Sequence, residues 1–411
     1  MKGIYSVFEH IFGFLYHPVV RFFRSNRYRP GDLIAFLIHY IFFVWKKNEP
    51  EKRFLYLDVT YLSKCERFAG ICRVVAKLQE FLPLIQSQYE VIPVIGKQFL
   101  GFYKLSDGSC ICPSSNDIFL SAEVTQGIID TNALFFSRLK KKNCRVCFFL
   151  HDLIPVLYPD FNGSPKFFRY YKKYLRQLAK ADRVVCNSNS VLSDFNKYIE
   201  ENKIKTASEL KKSYTHLGVD FKPAQNGVSG KIKLPAKVNF LMVSTVEVRK
   251  MYDQAVEAFS ILWEKDLDVS LSIVGKYGWR AERARNLIEN SPYKDKKLFW
   301  YNQGISDAEL AELYQSCDAV IFASMTEGFG LALIEAAIYK KPLIIRDIPI
   351  FREVAGENAF YFSGTTGEEL AVKIREWLEL YDNGTYPCSD KISYISWEQS
   401  VKNVFAAIAE S

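Results

Sequence analysis

The chain reads as an α/β protein built from two doubly wound, Rossmann-like halves with a cleft between them. Three observations lead there. From Arg53 onward, apolar runs of strand length alternate with segments of helical period, the pattern of parallel strands joined by crossover helices. The alternation stops over 222–236, where Pro223, Gly227, Gly230 and Pro235 interrupt a stretch with almost no apolar pattern, and then it resumes. At 411 residues, 49% apolar and 24% charged, the chain has the length for two domains and the composition of a globular protein. The expected divisions are an extension over 1–50, a first half over 51–221, a linker over 222–236, a second half over 237–395 and a terminal helix over 396–411.

The elements follow in order. Residues 54–59 form a first strand, and 71–84 a helix with Ile71, Val74, Val75, Leu78, Phe81 and Leu82 on one face. Strands are expected at 91–95, 117–120, 145–150 and 183–186, with helices at 130–142, 165–181 and 190–200, and a short strand at 214–217. In the second half, strands at 238–243, 269–274, 297–301, 319–323 and 342–346 alternate with helices at 252–265, 280–290, 307–316 and 331–339. Helices at 367–381 and 397–410 close the chain. Ligands of such an architecture bind in the cleft, beside the carboxyl ends of strands. No G-x-G-x-x-G opens either half, which argues against a dinucleotide oxidoreductase.

The net charge is +8, and the first fifty residues carry seven bases against three acids. The same segment holds an apolar run over 33–45. As a helix it spans roughly 20 Å, short of the roughly 30 Å hydrocarbon core, so it suits an interfacial position rather than a span. Bases beside aromatic clusters suit an anionic membrane surface; a packing element on the core is the alternative. No nucleic-acid motif accompanies the charge, so nucleic acid is not an expected partner. The nine cysteines include one C-x-x-C, Cys144 and Cys147, in a strand where the two face opposite sides. Free thiols in a reducing cytoplasm are expected, with no metal site. No signal-peptide cleavage pattern is evident.

Chemistry concentrates after two strands of the second half. The strand at 319–323 leads into Thr326-Glu327-Gly328-Phe329-Gly330-Leu331, which opens the apolar helix carrying Glu335. Glycines let backbone N–H groups approach a ligand, and a helix N-terminus favours negative charge, so this is an anion site. Glu327 and Glu335 flank it. Glu335 lies among Leu331, Leu333, Ile334, Ala336, Ala337 and Ile338, and a carboxylate in such surroundings needs a partner. Vicinal ribose hydroxyls would serve. Arg249 and Lys250 follow the strand at 238–243, where one guanidinium and one ammonium can neutralise a diphosphate. His151 and Asp152 follow the strand at 145–150, at an end that faces the cleft. Gly275-Lys276-Tyr277-Gly278-Trp279 and Gln303-Gly304-Ile305-Ser306-Asp307 end the next two strands, in position to form a nucleotide-base pocket.

The stretch from Thr326 to Glu335 resembles the E-x7-E signature of retaining GT-B glycosyltransferases of family 4, also called group 1. The resemblance implies that Glu327 contacts the donor sugar, Glu335 the ribose, and the Gly328-Phe329-Gly330-Leu331 backbone the diphosphate. Ser244 to Met251 is similar to the family's phosphate-binding turn, with Val248 in place of Pro and Met251 in place of Asn or Gly. By that likeness Arg249 and Lys250 stabilise the leaving nucleoside diphosphate. His151-Asp152-Leu153-Ile154-Pro155 matches an H-D-x-x-P turn, which puts His151 beside the sugar's primary hydroxyl, with Asp152 ordering the loop. Phe68 to Arg73 resembles a T-G-I-x-R turn that departs from the pattern at Ala69. Gly70 would there approach a diphosphate or acceptor, and Arg73 is open between that role and a structural ion pair.

The family has no D-x-D metal motif and needs no cofactor. The expected activity is retaining, metal-independent transfer from a nucleotide-diphosphate sugar to a lipid-linked glycan acceptor, peripherally, at the cytoplasmic face of the inner membrane. The motif wording is nearest to O-antigen and capsule mannosyltransferases, which makes GDP-mannose the preferred donor. A sugar-nucleotide epimerase or phosphorylase on the same architecture is one rival, and a non-catalytic scaffold of a glycan-assembly complex is another.

Overall fold

The computed structural model describes residues 53–65, 70–125, 127–161, 164–219 and 234–410. The extension over 1–50 lies outside them, as do residues 222–233 of the linker and Phe68 and Ala69 of the glycine turn.

Two sheets carry the structure. The first contains β1 (Phe54–Asp58), α1 (Ile71–Ile85), β2 (Glu90–Lys97), β3 (Gly101–Lys104), β4 (Ile118–Ser121), α2 (Ala133–Lys141) and β5 (Arg145–Leu150). It continues with α3 (Ile154–Leu157), α4 (Pro165–Leu178), β6 (Arg183–Cys186), α5 (Asn189–Glu201) and β7 (Lys211–Tyr214). Its strand order is β3-β2-β1-β4-β5-β6-β7, parallel except where β3 turns back on β2. The second half contains β8 (Val238–Val243), α6 (Tyr252–Glu264), β9 (Val269–Val274), α7 (Glu282–Glu289), β10 (Leu298–Tyr301), α8 (Asp307–Ser316) and β11 (Ala319–Phe322). Then come α9 (Leu331–Ile338), β12 (Leu343–Arg346), α10 (Pro349–Ala355), β13 (Phe360–Phe362), α11 (Gly367–Asp382) and α12 (Trp397–Ala409). Its order is β10-β9-β8-β11-β12-β13, all parallel.

Both sheets reverse their winding once, between β1 and β4 and between β8 and β11. Those are the switch points where an open α/β sheet leaves a crevice at its carboxyl edge. The turns carrying Arg249 and Glu327 leave the two strands that flank the second one.

Strands buried on both faces read as mainly apolar runs, and β4, β5, β6, β11 and β12 behave so, while β9 buries Ser270 and Ser272 as well. One side of the first sheet is an aromatic cluster in which Phe102 and Phe119 meet edge-on at 4.7 Å and Phe135, Phe136 and Phe148 continue the contacts. The opposite side is covered by α1, against which the terminal α12 packs. That helix belongs to the first half in space although it ends the chain. Its last carbonyls are met by the guanidinium groups of the first sheet: Arg145 donates to Ile408 O at 2.7 Å and Arg183 to Glu410 O at 3.0 Å.

Several elements differ from expectation. The strand expected at 214–217 forms at Lys211–Tyr214, an exposed edge whose Lys-rich sequence carries no period-2 signal. The hairpin strand β3, the short helices α3 and α10, and the three-residue β13 escape detection because none is long enough to show a period. Cys65 and Cys72 are joined in a disulfide, against the expectation of free thiols. Cys144 and Cys147 are both buried, and burial pushes both thiols up.

Gly218 passes so close to the start of α12 that an added Cβ would lie 2.3 Å from Trp397 Cα and 2.5 Å from Ser396 C. Backbone atoms cannot rotate aside, so Gly218→Ala must displace α12 from its seat. A loss of about 1–3 kcal/mol of unfolding free energy is expected in urea titrations, the usual range for overpacking.

Candidate active site

The charged centre is built at the ends of β8 and β11. After β8 a single 3-10 turn, Val248–Lys250, presents Arg249 and Lys250 side by side. Met251 then takes the left-handed conformation, φ 54° and ψ 41°, before α6 begins. The position favours Asn or Gly, so the methionine here carries a local backbone cost.

Both cations reach Glu327 in the turn after β11. Arg249 Nη1 donates to Glu327 Oε2 at 2.9 Å and to Thr326 O at 2.9 Å, and Lys250 Nζ donates to Glu327 Oε1. Arg249 Nη2 also pairs with Glu247 at 2.6 Å. Burial alone would push the Glu327 carboxyl up, but Lys250 and Arg249 outweigh it and hold it down at about 2. Burial works against the charge on Arg249, and Glu327 and Glu247 overcome that and keep the guanidinium protonated. Glu327 is therefore ionised at any working pH. Its turn is held by the other half of the molecule. Ser188 Oγ donates to Gly328 O at 3.0 Å, and a Cβ on Gly328 would lie 2.4 Å from His151 O. Glycine is required there by close approach.

Gly330, at φ 92°, is the N-cap of α9, and no side chain caps that helix. Among the described residues no side chain accepts from its first N–H groups, as an anion site needs. Gly70, at φ 54°, stands in the same relation to α1. The two helices are tied by one ion pair between the halves, Arg73 Nη1 to Glu335 Oε1 at 3.0 Å. Of the two readings left open for Arg73, the ion pair is the one present. Burial pushes the Glu335 carboxyl up despite the bond from Arg73, and Oε2 accepts no hydrogen bond among the described residues. Phe329 is buried and its ring lies 5.3 Å from that of His216, while Leu331 begins α9.

His151 follows β5 directly and is 5% exposed. Its Nε2 lies 2.6 Å from Ala122 O. A carbonyl only accepts, so Nε2 carries the proton and Nδ1 is the unprotonated nitrogen. Burial pushes the imidazole down to about 4, against the pull of that hydrogen bond. Asp152 accepts from Ile154 N at 3.0 Å through its carboxylate, which orders the loop. Its carbonyl accepts from Tyr171 Oη at 2.8 Å.

His151, Glu327, Arg249, Lys250 and Gly328 thus meet in one place, and Gly70, Arg73 and Glu335 form a second knot. Ile305 is a half-buried apolar side chain packed on the core that also holds Phe329 and Leu333. Gly275 and Gly278 serve packing: a Cβ on either would strike the Ser244–Val246 turn, at 1.8 Å from Ser244 O and 2.4 Å from Thr245 Cγ2.

Two groups were not foreseen from the sequence. Glu353, on α10, crosses to the first half and sits on the N-terminus of α5. It accepts from Asn189 N at 2.7 Å, Ser190 N at 2.8 Å, Ser190 Oγ at 2.7 Å and His216 Nε2 at 2.8 Å. Burial opposes its charge, but those donors, His216 first, hold the carboxyl down at about 2. The only signal was Ser188 as a helix cap, which marks an N-terminus without naming its anion. Asp58 and Glu123 form the other group, buried at the ends of β1 and β4. Glu123 accepts from Leu62 N at 2.8 Å and from Tyr61 N, so it holds the loop after β1. Burial and the nearby Asp58 push it up to about 8.

Two Rossmann-like sheets facing each other across such a site define the GT-B fold, and solved structures of that architecture overlay on this one. Sucrose-phosphate synthase from Thermosynechococcus elongatus covers 87% of this chain and 96% of its own at a TM-score of 0.60 and 16% identity. A glycosyltransferase from Rickettsia africae covers 87% and 94% at a TM-score of 0.56 and 20% identity. Residues 230–386 match the family of glycosyl transferases group 1, so the second half is a group 1 glycosyltransferase domain. The serotype-specific mannosyltransferase WbdA of Escherichia coli is 34% identical over 374 residues, 85% of this chain and 44% of that protein. The chain spans less than half the length of that relative.

Two measurements check this electrostatic account. Glu327→Gln leaves Arg249 and Lys250 without their shared counter-charge and should cost roughly 3–5 kcal/mol in urea unfolding. Adding Lys250→Met should recover part of it, and a double variant no more stable than the single one would show that charge is not the cause. The second measurement concerns His151, whose folded value of about 4 lies below its ordinary 6.5. Between those values only the unfolded chain takes the proton, so stability falls as pH drops from 6.5 to 4 and is level below that. The difference between the protein and His151→Gln should change by about 3 kcal/mol across that window.

Proposed function

We propose that the chain transfers a sugar from a nucleotide-diphosphate sugar to a lipid-linked glycan acceptor at a membrane face, with retention of anomeric configuration and without a divalent metal. One observation carries this reading: two half-buried cations converge beside an uncapped, glycine-started helix N-terminus, in a turn seated against the neutral His151. A diphosphate is the ligand whose charge and size fit those donors. Lys250 has three N–H donors and Arg249 five, so both keep donors beyond those engaged by Glu327, Glu247 and Thr326. Fixed positive charge and the α9 dipole then stabilise the charge that develops on the departing diphosphate, in a site already shaped for it.

The two glutamates divide the donor between them. Glu335 keeps Oε2 for a ribose hydroxyl while Arg73 holds Oε1, and a carboxylate raised by burial gains from that second donor. Glu327, fully ionised, faces the sugar beside the leaving group. The acceptor hydroxyl attacks from the face that the diphosphate leaves, which preserves configuration. Likeness to a mannosyltransferase named for serotype favours GDP-mannose as donor and a surface polysaccharide as product.

The anomeric configuration of the product tests the chemistry. An α-linked sugar nucleotide should give an α-linked product, read from NMR coupling constants, with turnover preserved in EDTA. A β-linked product, or activity abolished by EDTA and restored by a divalent metal, would overturn the mechanism. Thermal shift against GDP, UDP and dTDP should give the largest rise with GDP.

A further inference from the structure

The loops that build the candidate site continue outward into exposed aromatic side chains. From His151 the chain runs through α3 to Tyr158, which is 39% exposed. The ring of Tyr158 stacks on that of Phe161 at 5.7 Å and 15°, so the two form one flat plate. On the other half, the loop after β9 passes beside the turn that presents Arg249, and Val248 N donates to Trp279 O at 3.1 Å. Trp279 is 53% exposed. Arg280, next in the chain, donates through Nη1 to Asp160 O on the first half. That bond holds the two loops together, with the Tyr158–Phe161 plate on one side of it and the indole on the other.

Tyr277, in the same loop as Trp279, has its ring covered by the Arg285 guanidinium at 5.0 Å. Trp279 has no such cover: among the described residues no ring or cation lies over it and its Nε1 donates to nothing, and Tyr158 Oη is equally unengaged. A pyranose suits this surface, since its ring presents C–H groups on the face and hydroxyls at the edge. Tyrosine and tryptophan offer the matching pair, a large apolar face with a hydrogen-bonding tip. Arg280 spends one of its five N–H donors on Asp160 and keeps others for hydroxyls. Other occupants fit less well. Two aromatic side chains offer at most about 500 Å², short of the roughly 800 Å² per side of a stable protein interface. A nucleotide base belongs with its diphosphate on the second half, whereas the Tyr158–Phe161 plate belongs to the first.

We propose that Tyr158 with Phe161, and Trp279 beside them, form a subsite for the glycan part of the acceptor, with sugar rings stacked on the two plates and hydroxyls bonded to Arg280. The subsite holds sugars that precede the attacking one, so it adds affinity and direction without touching the groups that hold the donor. That the bound glycan is an acceptor rests on the proposed function; the binding itself needs neither donor nor transfer.

The test is calorimetric titration of the full chain with a linear α-linked mannotetraose, without donor. Trp279→Ala and Tyr158→Ala should each weaken binding about tenfold, and Trp279→Phe, which keeps an aromatic face, should retain most of it. Tyr394→Ala, at a similarly exposed ring shortly before α12, should bind as the unaltered chain does, and all four variants should bind GDP equally. The sugar should also change tryptophan emission saturably, and that change should vanish in Trp279→Phe. No saturable binding by the unaltered chain, equal binding by the two aromatic-to-Ala variants, an equal loss in Tyr394→Ala, or a loss of GDP affinity in place of sugar affinity would overturn the inference. Sugar binding that falls as expected, in a chain that transfers from no sugar nucleotide, would count against the proposed chemistry alone.

Discussion

A buried carboxylate must have its charge met, and the active half of this molecule is organised around meeting that of Glu327. Neither Arg249 nor Lys250 is near it in sequence. They arrive because β8 and β11 are neighbours at the switch point of the second sheet, and each strand releases its turn at the same edge. Removing either strand from its place would separate charges that are costly to bury singly. The parallel order of the sheet and the ionisation of Glu327 therefore depend on each other. The glycines at 328 and 330 follow from the same constraint. The first must allow the His151 carbonyl to approach, and the second must reverse the chain into a helix whose N-terminus stays open.

The two halves are held together by the same rule. Glu335 finds Arg73, and Glu353 finds the N-terminus of α5 with His216 beside it. Each carboxylate comes from the second half and each donor set from the first. Ser188 adds a bond to Gly328 O, so the residues that cap α5 also fix the turn beside Glu327. Contact between the halves and the shape of the turn beside Glu327 are consequently linked. The terminal α12 works alongside by returning to the first half, where Arg145 and Arg183 hold its last carbonyls.

Much of this was legible in the sequence, and what was not has a physical cause. Long buried strands such as Arg145–Leu150 and Val238–Val243 announce themselves as mainly apolar runs, and the start of Asp307–Ser316 is sharp because Ser306 and Glu309 form a capping box. Glu327 and Glu335 stood out because glycine turns and apolar surroundings are local. Glu353 did not, since its partners lie 137 to 164 positions away and its helix is only seven residues long. The same holds for Asp58 and Glu123, which are joined through β1 and β4 rather than through the chain. The close approach of Gly275 and Gly278 to the Ser244–Val246 turn was not legible for a related reason, since only tertiary contact shows which backbone a glycine after a strand must meet.

The spacing of the two signature glutamates sets their different environments. Glu327 precedes the helix and lies in the turn, where cations from β8 can surround it. Glu335 lies more than one turn into α9 on its buried side, where a single guanidinium reaches one oxygen. Burial raises the carboxyl in both places; two cations reverse that at Glu327, and one bond from Arg73 does not at Glu335. A carboxylate saturated by cations is suited to holding charge in place, and one with an unfilled oxygen is suited to accepting a hydroxyl. Eight residues of separation across a strand–turn–helix junction are enough to divide a carboxylate met by two cations from one met by a single guanidinium, because the junction itself changes what can approach each side chain.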